Sequence, residues 1–365
     1  MHRRSFIQQT GLGTASLFTL QLPDWARNIL HAPAPLAFPV HNIPADKKLD
    51  PTWIQSLYER GKPTTYCKSK NELKYIGMPA GGLHAGTVYL GGDGRLWLWG
   101  IYNDEREGID PKTVLWNDGS SDVKVRNRDG ASYVEPAIAN NKRVLEQGFA
   151  VKIECNGKTI TKELKEDDWD DIRFEASYPL ATIYYIDETL PVDIILRAGA
   201  LFIPLNADDS ALPATVFSIT CKNNSKEQVS VSICGWFENG SGKITAKDID
   251  GTRRNSVVQQ NNYCAVFSDF NFSRPATVPQ KDTGSTCLTF LGGKGLLNTD
   301  ADPWPVNTET FSRVNENSSE RKPSEKLVGS ITTTQIIEPG QLSQIRYALS
   351  WHFDHPFVDR LSKLP

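Results

Sequence analysis

The chain has 365 residues, of which 39% are hydrophobic and 10% aromatic, with 40 basic and 43 acidic side chains and a formal net charge of −3. That length can bury one large core or two ordinary ones, and the near balance of charge, with a pI of about 6.1, leaves no basic footprint for nucleic acid. The 22 prolines and 27 glycines, set against 2 methionines, punctuate the chain with turns and exclude a fold of long helices.

The first residues read as an address rather than as fold. Met1 to Gln8 is basic, and Thr10 to Leu22 is apolar but too short to span a bilayer. Arg3-Arg4 followed by Phe6-Ile7 resembles a bacterial twin-arginine export signal, and Gly11, Gly13 and Thr14 keep the apolar stretch weakly hydrophobic, as that pathway's signals are. The plainer alternative is an ordinary secretory signal that carries two arginines. The expectation is an export signal over residues 1–37, cut within His31 to Ala37, and a periplasmic or extracellular protein. No other segment approaches the length of a membrane span. Residues 38–70 form a polar linker holding one short helix, Pro51 to Arg60, started by Pro51 and Thr52 and stopped by Gly61.

Tyr75 to Asn103 is the densest glycine region, and the alternation Leu96, Trp97, Leu98, Trp99 on a strand would put both indoles on one face. Strand-like runs then follow one another: Ala85 to Tyr89, Leu96 to Ile101, Phe149 to Glu154, Ile160 to Leu164, Ile172 to Ser177, Ala181 to Ile186 and Val192 to Leu201 in the first half. Thr215 to Lys222, Val229 to Phe237, Asn262 to Ser268, Ser285 to Leu291, Leu327 to Ile337 and Ser343 to His352 complete the series. Turn signals separate them at Gly92-Asp93-Gly94, Asn156-Gly157, Asn223-Asn224-Ser225, Asn239-Gly240 and Pro339-Gly340.

Thr215 to Cys221 and Val229 to Ile233 read as an antiparallel hairpin, with Val229, Val231 and Ile233 on a dry face and Ser230 and Ser232 on a wet one. So many strands without interleaved helices predict an all-β fold, a large antiparallel β-sandwich of supersandwich type with few short helices. The sandwich is expected over 71–355, with Asn298 to Glu325 as its longest loop or mobile insertion and 356–365 as the start of a connection to something further.

The six cysteines, at 67, 155, 221, 234, 264 and 287, are an even number, so disulfides are permitted in an exported protein. Their irregular spacing, and the apolar runs around all but Cys67, favour buried thiols for most and argue against zinc.

The acidic run Glu166 to Asp171 lacks calcium-loop spacing and reads as a solvated turn. Asp208-Asp209-Ser210 reads as a turn or cap before Leu212-Pro213, and His352 and His355 read as structural. His84, in the glycine-rich segment, has no accompanying serine or cysteine motif, and Gly92-x-Gly94 is not a dinucleotide fingerprint. No metal or cofactor is expected.

Three ordered blocks then carry a family resemblance. The segments Gly77-Met-Pro-Ala-Gly-Gly-Leu83 and Gly86 to Trp99 resemble the opening motif of glycoside hydrolase family 116, which includes bacterial β-glucosidases and the non-lysosomal glucosylceramidase of animals. Tyr178-Pro179, Phe202-Ile-Pro-Leu-Asn206, Asp208 to Thr215 and Gly235-Trp-Phe-Glu-Asn239 form the second block, and Leu349-Ser-Trp-His-Phe353 the third. His84 and Ala198-Gly-Ala-Leu201 depart from the family pattern.

The resemblance implies the N-terminal β-sandwich of a two-part retaining glycosidase. In that family a C-terminal (α/α)6 barrel supplies the glutamate nucleophile and the aspartate acid/base. No catalytic residue is therefore assigned to this chain, which alone is expected to be inactive. Its partner would be that helical catalytic domain, in cis or as a split product, with carbohydrate as a possible ligand. His84, Trp97, Trp99, Trp236 and Glu238 are the candidates for the domain interface or pocket rim, since tryptophans anchor interfaces and stack on sugars; core burial is the plain alternative for each indole. The competing reading of the whole is a stand-alone carbohydrate-binding or scaffolding sandwich, which would need an exposed aromatic platform.

Overall fold

The computed structural model describes residues 48–56, 59, 61–101, 112–115, 122–125, 145–242, 250–274 and 282–353. The expected export signal, His355 and the connection over 356–365 lie outside the described residues. The chain divides into two compact units, Met1–Thr64 and Thr65–Pro365.

In the first unit, helix α1 (Pro51–Ser56) starts where expected. Its cap is Asp50, whose Oδ1 accepts from the Thr52 N–H at 2.8 Å.

In the second unit a ten-stranded sheet runs in the order β1 (Thr64–Cys67), β9 (Asp171–Ser177), β10 (Leu180–Ile186), β11 (Val192–Gly199), β12 (Ala214–Asn223), β20 (Leu342–His352), β16 (Ser285–Phe290), β15 (Cys264–Phe272), β14 (Gly251–Gln259) and β18 (Ser319–Arg321). A five-stranded sheet runs β17 (Leu296–Asn298), β19 (Val328–Ile337), β13 (Val229–Glu238), β7 (Gln147–Cys155) and β8 (Lys158–Glu163). The glycine-rich segment forms a small sheet of β2 (Met78–Pro79), β3 (Thr87–Leu90) and β4 (Leu96–Gly100), and β5 (Lys112–Leu115) pairs with β6 (Asp122–Val125). The all-β antiparallel sandwich expected from the sequence is the fold.

The core lies between the two large sheets. Phe149 of β7 meets Phe217 of β12 at 5.0 Å and Tyr347 of β20 at 5.2 Å between ring centroids, and Phe290 of β16 meets Tyr347 at 5.5 Å. The Tyr347 hydroxyl crosses the core and donates to the Ile233 carbonyl at 3.1 Å. Burial pushes its phenol well above the ordinary tyrosine range.

The expected hairpin of Thr215–Cys221 with Val229–Ile233 does not form. β12 pairs with β11 and β20, whereas β13 pairs with β19 and β7. The dry faces of the two runs, Phe217, Ile219 and Cys221 against Val229, Val231 and Ile233, belong to one core cluster. Stacking those faces across the sandwich buries both, where a side-by-side hairpin would need a third element to cover them. Asn223 turns the chain between sheets, its Nδ2 donating to the carbonyls of Glu227 and Ile337 at 2.7 and 2.8 Å.

The outer face of β13 is also drier than its serines suggest. Cys234 and Trp236 sit in a second cluster with Ala150, Phe311 and Val328, covered by Ala301, Trp304 and Val306. The segment expected as a mobile insertion is thus a packed strap. Trp304 stands edge-on to Trp236 at 5.7 Å, and Asn307 closes a capping box on the turn Thr308–Phe311.

Antiparallel pairing sorts the connections by end. Those at 156–157, 187–191, 224–228, 260–263, 291–295 and 338–341 gather at one end, hereafter the turn end. At the other end, hereafter the loop end, lie the connections 200–213 and 299–327, the described residues 239–242, 273–274 and 282–284, the tight Tyr178-Pro179 turn, and the point where β20 delivers the chain to Phe353. Asn156 (φ 50) and Gly157 (φ 72) form the left-handed pair predicted for a two-residue hairpin.

Candidate functional site

Among the five sequence candidates, His84 alone reaches the surface, at the tip of a turn closed by the Ala85 N–H donating to the Gly82 carbonyl at 3.2 Å. Its backbone is left-handed, with φ 59. The three indoles are buried. Trp97 packs edge-on to Tyr89 at 5.2 Å and donates from Nε1 to the Ile76 carbonyl at 3.2 Å. Trp99 belongs to the main core, with Phe237 at 5.4 Å, and Trp236 lies beneath the strap. Strict alternation would have given Trp97 and Trp99 one environment, but the pairing shifts register between Val88 and Tyr89, and only Trp99 joins the main core. Neither the Trp99 nor the Trp236 N–H has a hydrogen-bond partner among the described residues.

Glu238 ends β13 and is also buried. Its Oε2 accepts from the Glu146 N–H at 3.0 Å, its own N–H donates to the Glu146 carbonyl at 2.8 Å, and Glu146 in turn pairs with Lys326 at 3.2 Å. These bonds continue the pairing of β13 with β7 past the end of the ladder.

Other charged groups are likewise committed to one another. Arg95 grips Asp93 through Nε at 2.6 Å and faces Glu163 at 3.9 Å. Burial works against the guanidinium, but Asp93 and Glu163 outweigh it and raise the Arg95 pKa. The acidic run is less solvated than expected. Asp168 accepts from the Glu163 N–H at 2.8 Å, Asp171 from the Ser69 N–H at 3.0 Å, and Trp169 between them is buried. Burial, then the nearby Asp93, raises the Glu166 pKa.

Among the described residues no group of three His, Cys, Asp or Glu side chains is placed to hold a metal ion, and no helix is long and apolar enough to cross a membrane. All six cysteines are thiols; Cys221, Cys234 and Cys264 are buried and the others half-buried.

What the structure does assemble is a surface at the loop end that the sequence candidates only touch. The turn 81–86 is bonded to the connection 200–213: the Leu83 N–H donates to the Ser210 carbonyl at 2.7 Å, and Ser210 Oγ bridges both the N–H and the carbonyl of Ile203 at 2.8 and 3.0 Å. Asn206 caps the short helix α2 (Ala207–Ser210), accepting from the Asp209 N–H at 3.1 Å, so Asp208, Asp209 and Ser210, expected as a turn or cap, form the helix that is capped. Two glycines permit these approaches. A Cβ on Gly82 would stand 2.1 Å from the Leu212 carbonyl oxygen, and one on Gly199 would stand 2.0 Å from that of Pro179. From beneath, Trp351 Nε1 donates to the Ala85 carbonyl at 2.7 Å, and Thr215 Oγ1 donates to the Ala80 carbonyl at 2.8 Å.

On this frame four large apolar side chains face solvent: Leu83, Tyr178, Phe202 and Leu205. Tyr178 and Phe202 are in ring contact at 5.7 Å. Leu205 is fully exposed at 104% and holds a left-handed φ of 66, a conformation costly for a branched residue. The three segments that carry the patch, 75–92, 176–186 and 198–207, contain no Asp, Glu, Lys or Arg. That charge-free run was the available sequence signal, and a search for catalytic motifs passes over it.

The sequence profile described as beta-glucosidase 2, glycosyl-hydrolase family 116 N-term, matches residues 77–360. The chain belongs to this family. The match spans the small sheet, every strand of the two large sheets except β1, and the loop-end surface. No curated protein matches the sequence. Among solved structures, a polysaccharide lyase is similar at 10% identity and a TM-score of 0.33, over 81% of this chain and 33% of that one. A protein described as a kojibiose phosphorylase, from the human microbiome, is similar at 10% identity and a TM-score of 0.29, over 58% of this chain and 23% of its own. An aldose 1-epimerase-like protein from Klebsiella pneumoniae gives 10% identity and a TM-score of 0.34, over 73% and 77%. The chain thus spans a third or less of the first two structures it matches.

Proposed function

We propose that the chain works as the non-catalytic N-terminal domain of an exported glycoside hydrolase acting on β-glucosides or related glycosides. In this reading it packs against a separate helical catalytic domain and helps to shape the rim of its pocket. The observation that carries the reading is the family 116 N-terminal match over residues 77–360. Retaining hydrolysis needs two carboxylates about 5 Å apart beside an open sugar site. Glu238, the acid among the candidates, is instead buried and bonded to the Glu146 backbone, which supports a structural part for this chain.

The test is turnover of an aryl β-glucoside by the purified chain, alone and mixed with the helical half of a family 116 β-glucosidase. Turnover is expected only with the helical half present, and hydrolysis by the chain alone would overturn the reading. Export rests on Arg3-Arg4 and its apolar neighbours. Replacing both arginines by lysine should leave a reporter fused to residues 1–37 in the cytoplasm; unchanged export through the general secretory route would favour the plainer signal.

The exposed Tyr178 and Phe202 rings favour a second reading, a free-standing carbohydrate-binding sandwich. Cello-oligosaccharide binding by the chain alone, lost on Phe202→Ala, would select it.

A further inference from the structure

The loop end and the turn end both expose large apolar side chains, but in different settings. At the turn end Ile336 and Leu342 lie among the exposed charges Lys222, Glu227 and Glu338. Apolar residues within a charged surface need no partner. At the loop end Leu83, Tyr178, Phe202 and Leu205 rise from three charge-free segments tied together by the Leu83–Ser210 and Ser210–Ile203 hydrogen bonds. Depletion of charge around clustered aromatic and aliphatic anchors is the composition of an interface core.

Two further facts indicate what covers it. Strand β20 ends inside this frame, with the Trp351 N–H donating to the Pro213 carbonyl at 3.0 Å and its indole to the Ala85 carbonyl. A domain joined to the chain after β20 would therefore start beside the patch. Leu205 holds its side chain outward from a left-handed backbone that glycine would occupy without strain.

The geometry points to Leu83, Tyr178, Phe202 and Leu205 as the face on which the helical catalytic domain docks, with Leu205 as the projecting anchor. This rests on the N-terminal-domain reading above and adds the surface. The occupant is an apolar face of a helical domain rather than a sugar: Leu83 and Leu205 offer no polar group to pair with hydroxyls, and Asp208 and Asp209 are the only charges in the 198–213 stretch.

The experiment titrates the full 365-residue chain with the helical half of a family 116 β-glucosidase supplied as a separate polypeptide, and compares four variants by calorimetry and thermal melting. Leu205→Asp and Phe202→Asp should each weaken association about tenfold or more. Leu205→Gly should weaken it too while leaving the melt unchanged, a combination that a merely structural role would not give. Ile336→Asp, at the turn end, should leave affinity unchanged. Binding that is insensitive to the loop-end variants, or equally sensitive to Ile336→Asp, overturns the face while the domain reading stands. No binding by the unaltered chain overturns both.

Discussion

The two ends of the sandwich are built from the same strands but close in opposite ways. At the turn end the connections are short and each is shaped by its own tight turn, with backbone bonds to its neighbours: Asn156-Gly157 takes the left-handed pair, Gly340 turns the β19–β20 connection, the Asn224 N–H donates to the Pro191 carbonyl at 2.9 Å and the Gly293 N–H to the Asn262 carbonyl at 3.0 Å. At the loop end the connections 200–213 and 299–327 are longer, and side chains as well as backbone fasten one segment to another. Leu83 binds Ser210, Trp351 binds Ala85, and Ser241 Oγ donates to the Gly284 carbonyl at 2.9 Å. Short tight turns present little surface of their own, whereas long loops fastened through shared side chains fail together and can present a composite surface. The lesson is that such a surface is found by asking which loops are fastened to each other, since no single loop carries it.

The largest expected effect concerns the core that both ends share. Burial pushes the thiols of Cys234 and Cys264 up to about 11 and that of Cys221 to about 12. On unfolding they return to about 8.5, so above that pH the unfolded chain binds fewer protons than the folded one and stability falls as pH rises. The slope is about 1.4 kcal/mol per pH unit for each such thiol until its folded pKa is reached. Urea melts between pH 7 and 10 should show a flat region followed by a steep fall, and a flat profile to pH 10 would sink the account.

Next comes Trp351→Ala, which removes the post beneath the glycine-rich turn and should cost about 3–5 kcal/mol. Amide hydrogen exchange should then rise around Ala85 and Leu83 and stay low at Asn156-Gly157; uniform loosening would break the contrast between the ends. Gly82→Ala forces a Cβ against the Leu212 carbonyl and should cost about 1–3 kcal/mol, with the same loop-end signature. At the turn end, Asn223→Ala strips donors from two carbonyls in a buried site and should cost about 1–3 kcal/mol without disturbing residues 83–85. The smallest effect is Leu205→Gly, where relief of the left-handed strain offsets the added freedom of the unfolded chain to within about 0.5 kcal/mol.

Much of the fold was legible because strand runs advertise themselves locally. Val192 to Leu201, Thr215 to Lys222 and Ser343 to His352 are strands within a residue or two of their predicted ends, and Asn156-Gly157 is the turn its chemistry demands. Gly251–Gln259 was missed: Arg253, Arg254 and Asn255 obscure it, because their polar groups are satisfied only by distant partners. Arg253 Nε donates to the Ser241 carbonyl at 3.0 Å, and Asn255 Nδ2 to that of Thr299 at 2.9 Å. The candidate site was less legible. Tryptophan signals contact area but not whether another part of the same chain supplies the contact, so Trp97, Trp99 and Trp236 were flagged and proved to be core. Leu205 carries no motif at all, and its interest lies in a φ angle and an exposure that only coordinates report.

The sequence by itself determined the strand content, the turn chemistry and the family, since each depends on residues near one another in the chain. The tertiary structure decided which dry faces meet, that the 299–313 segment straps Trp236, and which loops share one end. Those outcomes depend on burying apolar area that no single segment can cover alone. Pairing and stacking across more than a hundred residues of separation, as between Ala85 and Trp351, are therefore invisible to local pattern.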